Sequence, residues 1–317
     1  MTATFERAIQ TRIQAIANTP EETRQALAQH LTPPEVATLA ASLFSDTDQD
    51  VCCLDLGGGT GILSVALIER YGKRVRRIDT VEIDPTLAKV FDEEVRGLAA
   101  GKTVVGDALL VDAGDGTRYD RIILNPPYGK IASNDPRQNA LPAHSANLYS
   151  AFMMRGIQQL ADNGEMVAIV PRSWTNGDYF VPFRNYALSQ CSLDALHVYG
   201  SRDEVFADTN VLQETMIVRL SKRRQVDTIR VSKSAVKGAE PIVEKYGTHD
   251  LIVGDNLVVR ITPEEATTLT ETVEGVGLCP STGKVVDFRS REYITREKLS
   301  ERPSVPLVYV GNFPHGQ

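Results

Sequence analysis

The sequence has 317 residues, of which 42% are hydrophobic, 24% are charged and 6% are aromatic. This composition is typical of a folded globular protein, and no apolar run reaches the ~18 residues that a membrane helix needs. The 34 basic and 41 acidic residues give a net charge of -7, which argues against non-specific binding to nucleic acid without excluding a local basic patch. The amino-terminal segment has no apolar signal core, so we expect a cytoplasmic protein without a membrane partner.

Short β-rich runs alternate with helical stretches up to about residue 222. Helices are predicted over residues 61–71, from Pro85 onward, over 148–160 and over 179–188. Strands separated by helices indicate a parallel sheet covered on both faces, so we predict an α/β, doubly wound (Rossmann-like) domain with a seven-stranded sheet. The predicted strands are residues 51–56, 78–83, 103–105, 121–124, 166–170, 193–199 and 215–220.

The composition of the sequence changes after the basic run at residues 222–224. Long apolar periods become rarer, while Thr, Val, Gly and Pro become more frequent. We therefore predict two domains, residues 1–225 and residues 226–317. The last residues include the apolar run PLVYV, which favours a truncated second domain, present only as a partial extension.

A glycine-rich loop, Asp55-Leu-Gly-Gly-Gly-Thr-Gly61, lies between the first predicted strand and the first helix of the sheet domain. Glycines at such a turn let the backbone approach a ligand, and the helix that follows offers free N–H groups. Ile62 stands where a dinucleotide-binding fingerprint has its last glycine, and no Gly-Lys-Ser/Thr follows. The loop alone is also compatible with a simple tight turn.

Two acidic residues follow the neighbouring strands. Glu82 ends the second predicted strand, and Asp107 follows the third in the segment Gly106-Asp107-Ala108. Ligands of open α/β sheets bind at the carboxyl ends of the strands, where a carboxylate can accept both hydroxyls of a ribose. Because acidic residues and glycines predominate here, we expect the ligand to be a neutral or cationic nucleoside and not a polyphosphate.

The fourth predicted strand ends in Asn125-Pro126-Pro127-Tyr128. Asn-Pro commonly begins a turn, but two prolines also lock the backbone. The Asn125 side-chain oxygen and the Pro126 carbonyl then form two rigid acceptors that converge on one amino group, and Tyr128 adds an aromatic surface for stacking. Such a site suits an exocyclic amine or a carboxamide nitrogen, because two acceptors favour a tetrahedral nitrogen with an available lone pair. No His–Asp pair suggests a general base, and the cysteines and histidines predict no metal site.

In this order and spacing, DLGGGTG, VEID, GDA and NPPY resemble S-adenosylmethionine-dependent amino-methyltransferases, above all the N6-adenine DNA methyltransferases. Residues 29–35, QHLTPPE, are similar to their amino-terminal cofactor motif, which corresponds to the gamma motif order. Further segments look like the type II modification methyltransferases of the BsuBI/PstI kind: residues 147–149, 163–174, 176–184, 281–289 and 306–309. The resemblance implies that residues 226–317 begin a DNA target-recognition domain.

The resemblance also implies which residues bind the cofactor, S-adenosyl-L-methionine. Thr32 and the glycine loop would hold its methionine end, and Glu82 its ribose. Ile83 would pack on the adenine ring of the cofactor, and Asp107 would accept a hydrogen bond from the amino group of that ring. The complete implied set is Thr32, Asp55, Gly57, Gly59, Gly61, Glu82, Ile83, Asp107 and Ala108.

For the adenine that accepts the methyl group, the resemblance implies that Asn125 and Pro126 hydrogen-bond its N6 amine. Pro127 would fix the turn. Tyr128 would stack on the base, and Phe206 would pack against the same extruded adenine. Reaching that nitrogen inside a duplex requires flipping the base out of the stack.

The sequence is therefore interpreted as a site-specific DNA adenine-N6 methyltransferase, the modification half of a restriction-modification system, with duplex DNA as substrate and a cognate restriction endonuclease as candidate partner. Two alternatives stay open. One is a methyltransferase acting on RNA adenine or on protein glutamine. The other is a truncated chain that binds cofactor but needs a recognition partner. A dehydrogenase is disfavoured by the glycine spacing.

Overall fold

The computed structural model describes residues 2–18, 31–114, 116–199, 215–236 and 238–263. Residues 1–263 form one compact unit, and residues 264–317 a second. The second unit and the predicted Phe206 contact lie outside the described residues. No helix in the described ranges is long and apolar enough to cross a membrane.

Helices flank the strands along most of the described chain. Their order alternates with the strands as the sequence predicts, because each amphipathic helix buries one face against the sheet. The described α-helices are α1 (Ala3–Asn18), α2 (Pro34–Ser42), α3 (Ile62–Tyr71), α4 (Pro85–Val95), α5 (Leu148–Gln159), α6 (Val181–Gln190) and α7 (Thr248–Leu251).

Nine strands of the described chain form one central sheet, in the order β3-β2-β1-β4-β5-β7-β6-β8-β9. Neighbours from β3 to β5 pair in parallel, whereas β7 runs antiparallel to both β5 and β6. The strands are β1 (Val51–Leu56), β2 (Val75–Glu82), β3 (Thr103–Val105), β4 (Tyr119–Leu124), β5 (Leu160–Pro171), β6 (Ser192–Tyr199), β7 (Thr215–Ser221), β8 (Thr228–Ser234) and β9 (Ile242–Gly247). A separate two-stranded sheet joins β10 (Ile252–Val253) and β11 (Val258–Val259).

The α/β doubly wound fold and all seven predicted strands are confirmed, but the sheet has two more strands than the predicted seven. The strand β8 pairs with β6, and β9 pairs with β8. In β8 the apolar residues Ile229 and Val231 alternate with polar ones, and in β9 Ile242 is 71% exposed. Neither strand therefore has the continuous apolar run of a central parallel strand. The sheet consequently continues across the boundary predicted near residue 225.

The strand register brings the predicted site segments to one edge of the sheet. Asp55 in β1 is level with Thr80 in β2 and with Ile123 in β4. The glycine loop, the end of β2 and the Asn-Pro-Pro-Tyr turn therefore leave neighbouring parallel strands side by side. This edge is where open α/β sheets bind ligands.

Candidate active site

A cavity of about 290 Å³ opens at this edge of the sheet. It gathers nine of the residues predicted from the sequence, which are Thr32, Gly57, Gly59, Glu82, Ile83, Asp107, Ala108, Asn125 and Pro127. The remaining lining residues are Leu31, Gly58, Thr60, Ile62, Leu63, Val81, Leu87, Gly106, Arg137, Leu148 and Phe152. The cofactor and acceptor motifs of the sequence thus share one cavity.

The glycine loop has the backbone conformation that its sequence predicts. Gly57, Gly59 and Gly61 have φ angles of 84°, 54° and 81°, in the left-handed region that side chains disfavour. Gly61 lies directly before α3, and its carbonyl accepts the first helical hydrogen bond from Val65 at 2.9 Å. The loop therefore directs the amino terminus of α3 toward the cavity, although Gly61 itself is not among the lining residues.

Gly58 is required by packing. A Cβ atom here would lie 2.4 Å from the Thr80 hydroxyl and 2.7 Å from the Phe91 ring. Gly58→Ala is therefore expected to lower the free energy of unfolding by about 1–3 kcal/mol, a typical cost of overpacking. Thermal denaturation measures the change, with Gly97→Ala as the matched control because a Cβ at that exposed turn meets nothing within 4 Å. Equal melting temperatures for the two variants would contradict the packing argument.

Glu82 is buried at the end of β2, and both of its carboxylate oxygens are fixed by backbone groups. The Gly59 N–H donates to Oε2 at 2.9 Å, and the Asp84 N–H donates to Oε1 at 3.0 Å. Burial raises the pKa of the Glu82 carboxyl, and the Asp84 and Gly59 hydrogen bonds oppose that rise. Each oxygen keeps a second lone pair, so the oriented carboxylate can accept two hydroxyl groups from a ligand.

Asp55, the first residue of the glycine-rich segment, lies in β1 and does not line the cavity. Its side chain is fully buried, and Oδ2 accepts from the Ser64 hydroxyl at 2.7 Å. No described group bonds Oδ1. Burial raises the pKa of the Asp55 carboxyl to about 7, an effect that the Ser64 hydrogen bond partly offsets. The structure thus places Asp55 where it supports α3 and the loop.

Asp55 should make the protein less stable as the pH rises from about 4 to about 7. In this window the folded state holds a proton that the unfolded state has released, so the free energy of unfolding falls with pH and levels off above it. Asp55→Asn keeps an acceptor for Ser64 and removes the titration. Its melting temperature relative to wild type should therefore increase between pH 5 and pH 8. A constant difference across that range would show that Asp55 does not titrate there.

Ile83, Asp107 and Ala108 line the other end of the cavity. Ile83 is 51% exposed, which leaves an apolar surface beside the Glu82 carboxylate. Asp107 Oδ1 accepts from the Leu109 N–H at 2.9 Å, and its Oδ2 lies 3.4 Å from Nη1 of Arg137. An apolar surface beside a hydrogen-bond acceptor suits a planar heterocycle with an exocyclic amine.

Asn125 joins the two halves of the site. Its Nδ2 donates to the Thr32 hydroxyl at 3.0 Å, and its Oδ1 accepts from the Tyr128 hydroxyl at 3.0 Å. Asn125 lines the cavity together with Thr32. Thr32, a predicted cofactor-binding residue, is therefore hydrogen-bonded to Asn125, the residue predicted to accept a hydrogen bond from the target amine.

Tyr128 and Pro126 do not line the cavity. Tyr128 is only 8% exposed, its hydroxyl also lies 3.2 Å from the Ile169 carbonyl, and its ring meets Tyr149 edge-on at 6.3 Å. Burial raises the pKa of the Tyr128 phenol. In this structure the tyrosine supports Asn125, so its predicted stacking on a base stays a prediction.

Comparison with known proteins agrees with this geometry. Residues 65–206 match the Eco57I restriction-modification methylase family. The chain is 33% identical to the type II methyltransferase M.PstI of Providencia stuartii over 93% of its own length. It is 32% identical to M.BsuBI of Bacillus subtilis over 90% of its own length.

The chain spans 65% of M.PstI and 64% of M.BsuBI. Its fold is similar to that of a modification subunit of a putative type I restriction enzyme from Vibrio vulnificus, with a TM-score of 0.62 at 14% identity, covering 87% of this chain and 67% of that one. The resemblance to type II modification methyltransferases is thereby confirmed.

The sequence motifs missed several residues that line the cavity, of which Arg137 bears most on its chemistry. Arg137 follows Asp135, which accepts from its Nη2 at 2.7 Å, and this contact lowers the pKa of the Asp135 carboxyl to about 2. Among the described lining residues Arg137 carries the only positive charge. Asp135-Pro136 is a local sign of a capped turn, but nothing local indicates that the turn reaches Asp107.

Proposed function

We propose that the chain transfers a methyl group from S-adenosyl-L-methionine to the N6 amine of adenine in duplex DNA, as the modification activity of a restriction-modification system. The observation that carries this proposal is the single cavity that joins the glycine loop and Glu82 to Asn125. A nucleoside cofactor and an amine acceptor can thus meet without an intervening protein layer.

The residues that line the cavity fit S-adenosyl-L-methionine. Glu82 offers two oriented oxygens for ribose hydroxyls, and Ile83 with Asp107 suits an adenine ring and its amino group. The glycine turn at the start of α3 and Thr32 would contact the methionine end of the cofactor. When bound, the cofactor supplies an electrophilic methyl group on a sulfonium.

Catalysis by this chain would rest on alignment and on acceptors placed where charge develops. The Asn125 Oδ1 and the Pro126 carbonyl accept the two hydrogens of the target amine, which makes its lone pair available for in-line attack on the methyl carbon. As positive charge develops on the nitrogen, these fixed dipoles stabilise it. The new N–C bond replaces the C–S bond, whose electron pair stays on the sulfur, and the extra proton on the methylated nitrogen passes to water, so no residue acts as a general base.

Duplex DNA is proposed as the acceptor because M.PstI and M.BsuBI are type II methyltransferases and their similarity to this chain extends over at least nine-tenths of it. That coverage includes most of residues 226–317, which we propose begin a target-recognition domain. A cognate restriction endonuclease is the proposed functional partner.

Methyl transfer to three acceptors tests the proposal. Unmethylated duplex DNA, RNA and a protein extract are incubated with the chain and methyl-labelled S-adenosyl-L-methionine, and the products are hydrolysed and separated. The expected result is label in N6-methyladenine from DNA alone. Label in RNA or in glutamine would replace the proposed substrate, and no label despite measurable cofactor binding would point to a missing recognition partner.

A further inference from the structure

Thr32 lies at the junction between the cofactor side and the acceptor side of the cavity. Only 4% of it is exposed, and its hydroxyl oxygen accepts from Asn125 Nδ2 at 3.0 Å. The motif resemblance assigns Thr32 to the methionine end of the cofactor. The hydrogen bond gives the same hydroxyl a second connection, to the residue that would grip the target amine.

The position of Thr32 is supported from α1. The Arg12 guanidinium is buried, and its Nε and Nη2 donate to the carbonyl of Leu31 at 3.1 Å and 2.8 Å. Two donors from one rigid, planar group fix the direction of the backbone immediately before Thr32. The hydroxyl therefore reaches Asn125 from a segment that other contacts already hold.

On its opposite side, Asn125 is supported by the sheet. The Tyr128 hydroxyl lies 3.0 Å from Asn125 Oδ1 and 3.2 Å from the Ile169 carbonyl in β5. Asn125 is thus bound through its nitrogen to Thr32 and through its oxygen to Tyr128. A carboxamide held at both ends has little freedom to rotate about its last bond, which would exchange the oxygen and the NH2 group.

We infer that Thr32 is a positioning residue for the acceptor amine, because it holds the Asn125 carboxamide with its oxygen available to the target nitrogen. This inference rests on the proposed function, in which Asn125 accepts from that nitrogen. Thr32 acts through Asn125, so its loss should slow the chemical step more than it weakens cofactor binding. A residue that only contacts the cofactor would show the reverse pattern.

Thr32→Val removes the acceptor with almost no change in shape, whereas Thr32→Ser retains the hydroxyl. Loss of the hydrogen bond between Thr32 and the half-buried Asn125 carboxamide should lower kcat for DNA methylation by about 10- to 100-fold. The Kd for S-adenosyl-L-methionine, measured by titration calorimetry, should change by a smaller factor than kcat does. Thr32→Ser should restore kcat to within about threefold of wild type. Thr38→Val on the exposed face of α2 is the matched control, expected to equal wild type.

A second measurement is independent of activity. In protein labelled with 15N-asparagine, the side-chain NH2 resonance of Asn125, assigned as the one absent from Asn125→Ala, should shift in Thr32→Val and stay close to its original position in Thr32→Ser. An unchanged resonance in Thr32→Val, or unchanged kcat with weakened cofactor binding, would overturn the inference. If wild-type protein labels no adenine in DNA, the proposed function fails, and the NMR shift alone then decides whether Thr32 holds Asn125.

Discussion

Asn125→Ala should lower kcat for methyl transfer by at least about 100-fold, the usual cost of removing a fixed dipole that faces a developing charge. The variant loses the amide oxygen that would accept from the target amine. Cofactor binding should persist, because Glu82, the glycine loop and Ile83 reach the cavity from the ends of β1 and β2, whereas Asn125 follows β4. Single-turnover methylation and cofactor titration on the same preparation separate the two effects.

Asn18→Ala, at the exposed end of α1, is the matched control and should behave as wild type. Thermal denaturation of both variants checks that the fold is intact. If Asn125→Ala methylated DNA at the wild-type rate, the assignment of the acceptor site to the Asn-Pro-Pro-Tyr turn would be wrong.

Glu82→Ala should raise the Kd for S-adenosyl-L-methionine by at least about 30-fold, because hydrogen bonds to an ionised group contribute roughly 1.5–3 kcal/mol each. The substitution removes the proposed ribose acceptors and also leaves the N–H groups of Gly59 and Asp84 without their carboxylate. The glycine loop should therefore lose its fixed conformation as well as its ligand contact. Titration calorimetry measures the affinity directly.

Glu93→Ala controls for loss of a carboxylate, since Glu93 lies exposed on α4 near Lys89. Saturating cofactor should restore most of the methylation rate of Glu82→Ala, because the acceptor side is untouched. A wild-type Kd for S-adenosyl-L-methionine in Glu82→Ala would show that the ribose does not bind to Glu82.

The parts of the fold that sequence predicts well are those set by local pattern. The seven strands that the sequence predicts are short apolar runs, and Gly57, Gly59 and Gly61 all adopt the left-handed conformation that a tight turn before a helix requires. Because parallel strands end at a common edge, strand order alone was enough to bring Glu82 and Asn125 together.

The parts that sequence predicts poorly depend on contacts between distant segments. The alternation in β8 is also compatible with an isolated hairpin, so its addition to the sheet beside β6 could not be predicted. The Thr32–Asn125 hydrogen bond joins residues 93 positions apart, and Arg137 reaches Asp107 across 30. Motif spacing locates Asp55 in the loop but cannot tell that its carboxylate faces Ser64 instead of the cavity.

We propose that one cavity holds the cofactor beside Asn125, which binds the acceptor amine. A crystal structure of the chain with bound S-adenosyl-L-methionine tests it most directly. We expect density in this cavity, with the ribose hydroxyls on Glu82 and the methyl group directed toward the Asn125 side chain. A cofactor bound outside the cavity, or one whose methyl group faces away from Asn125, would contradict it.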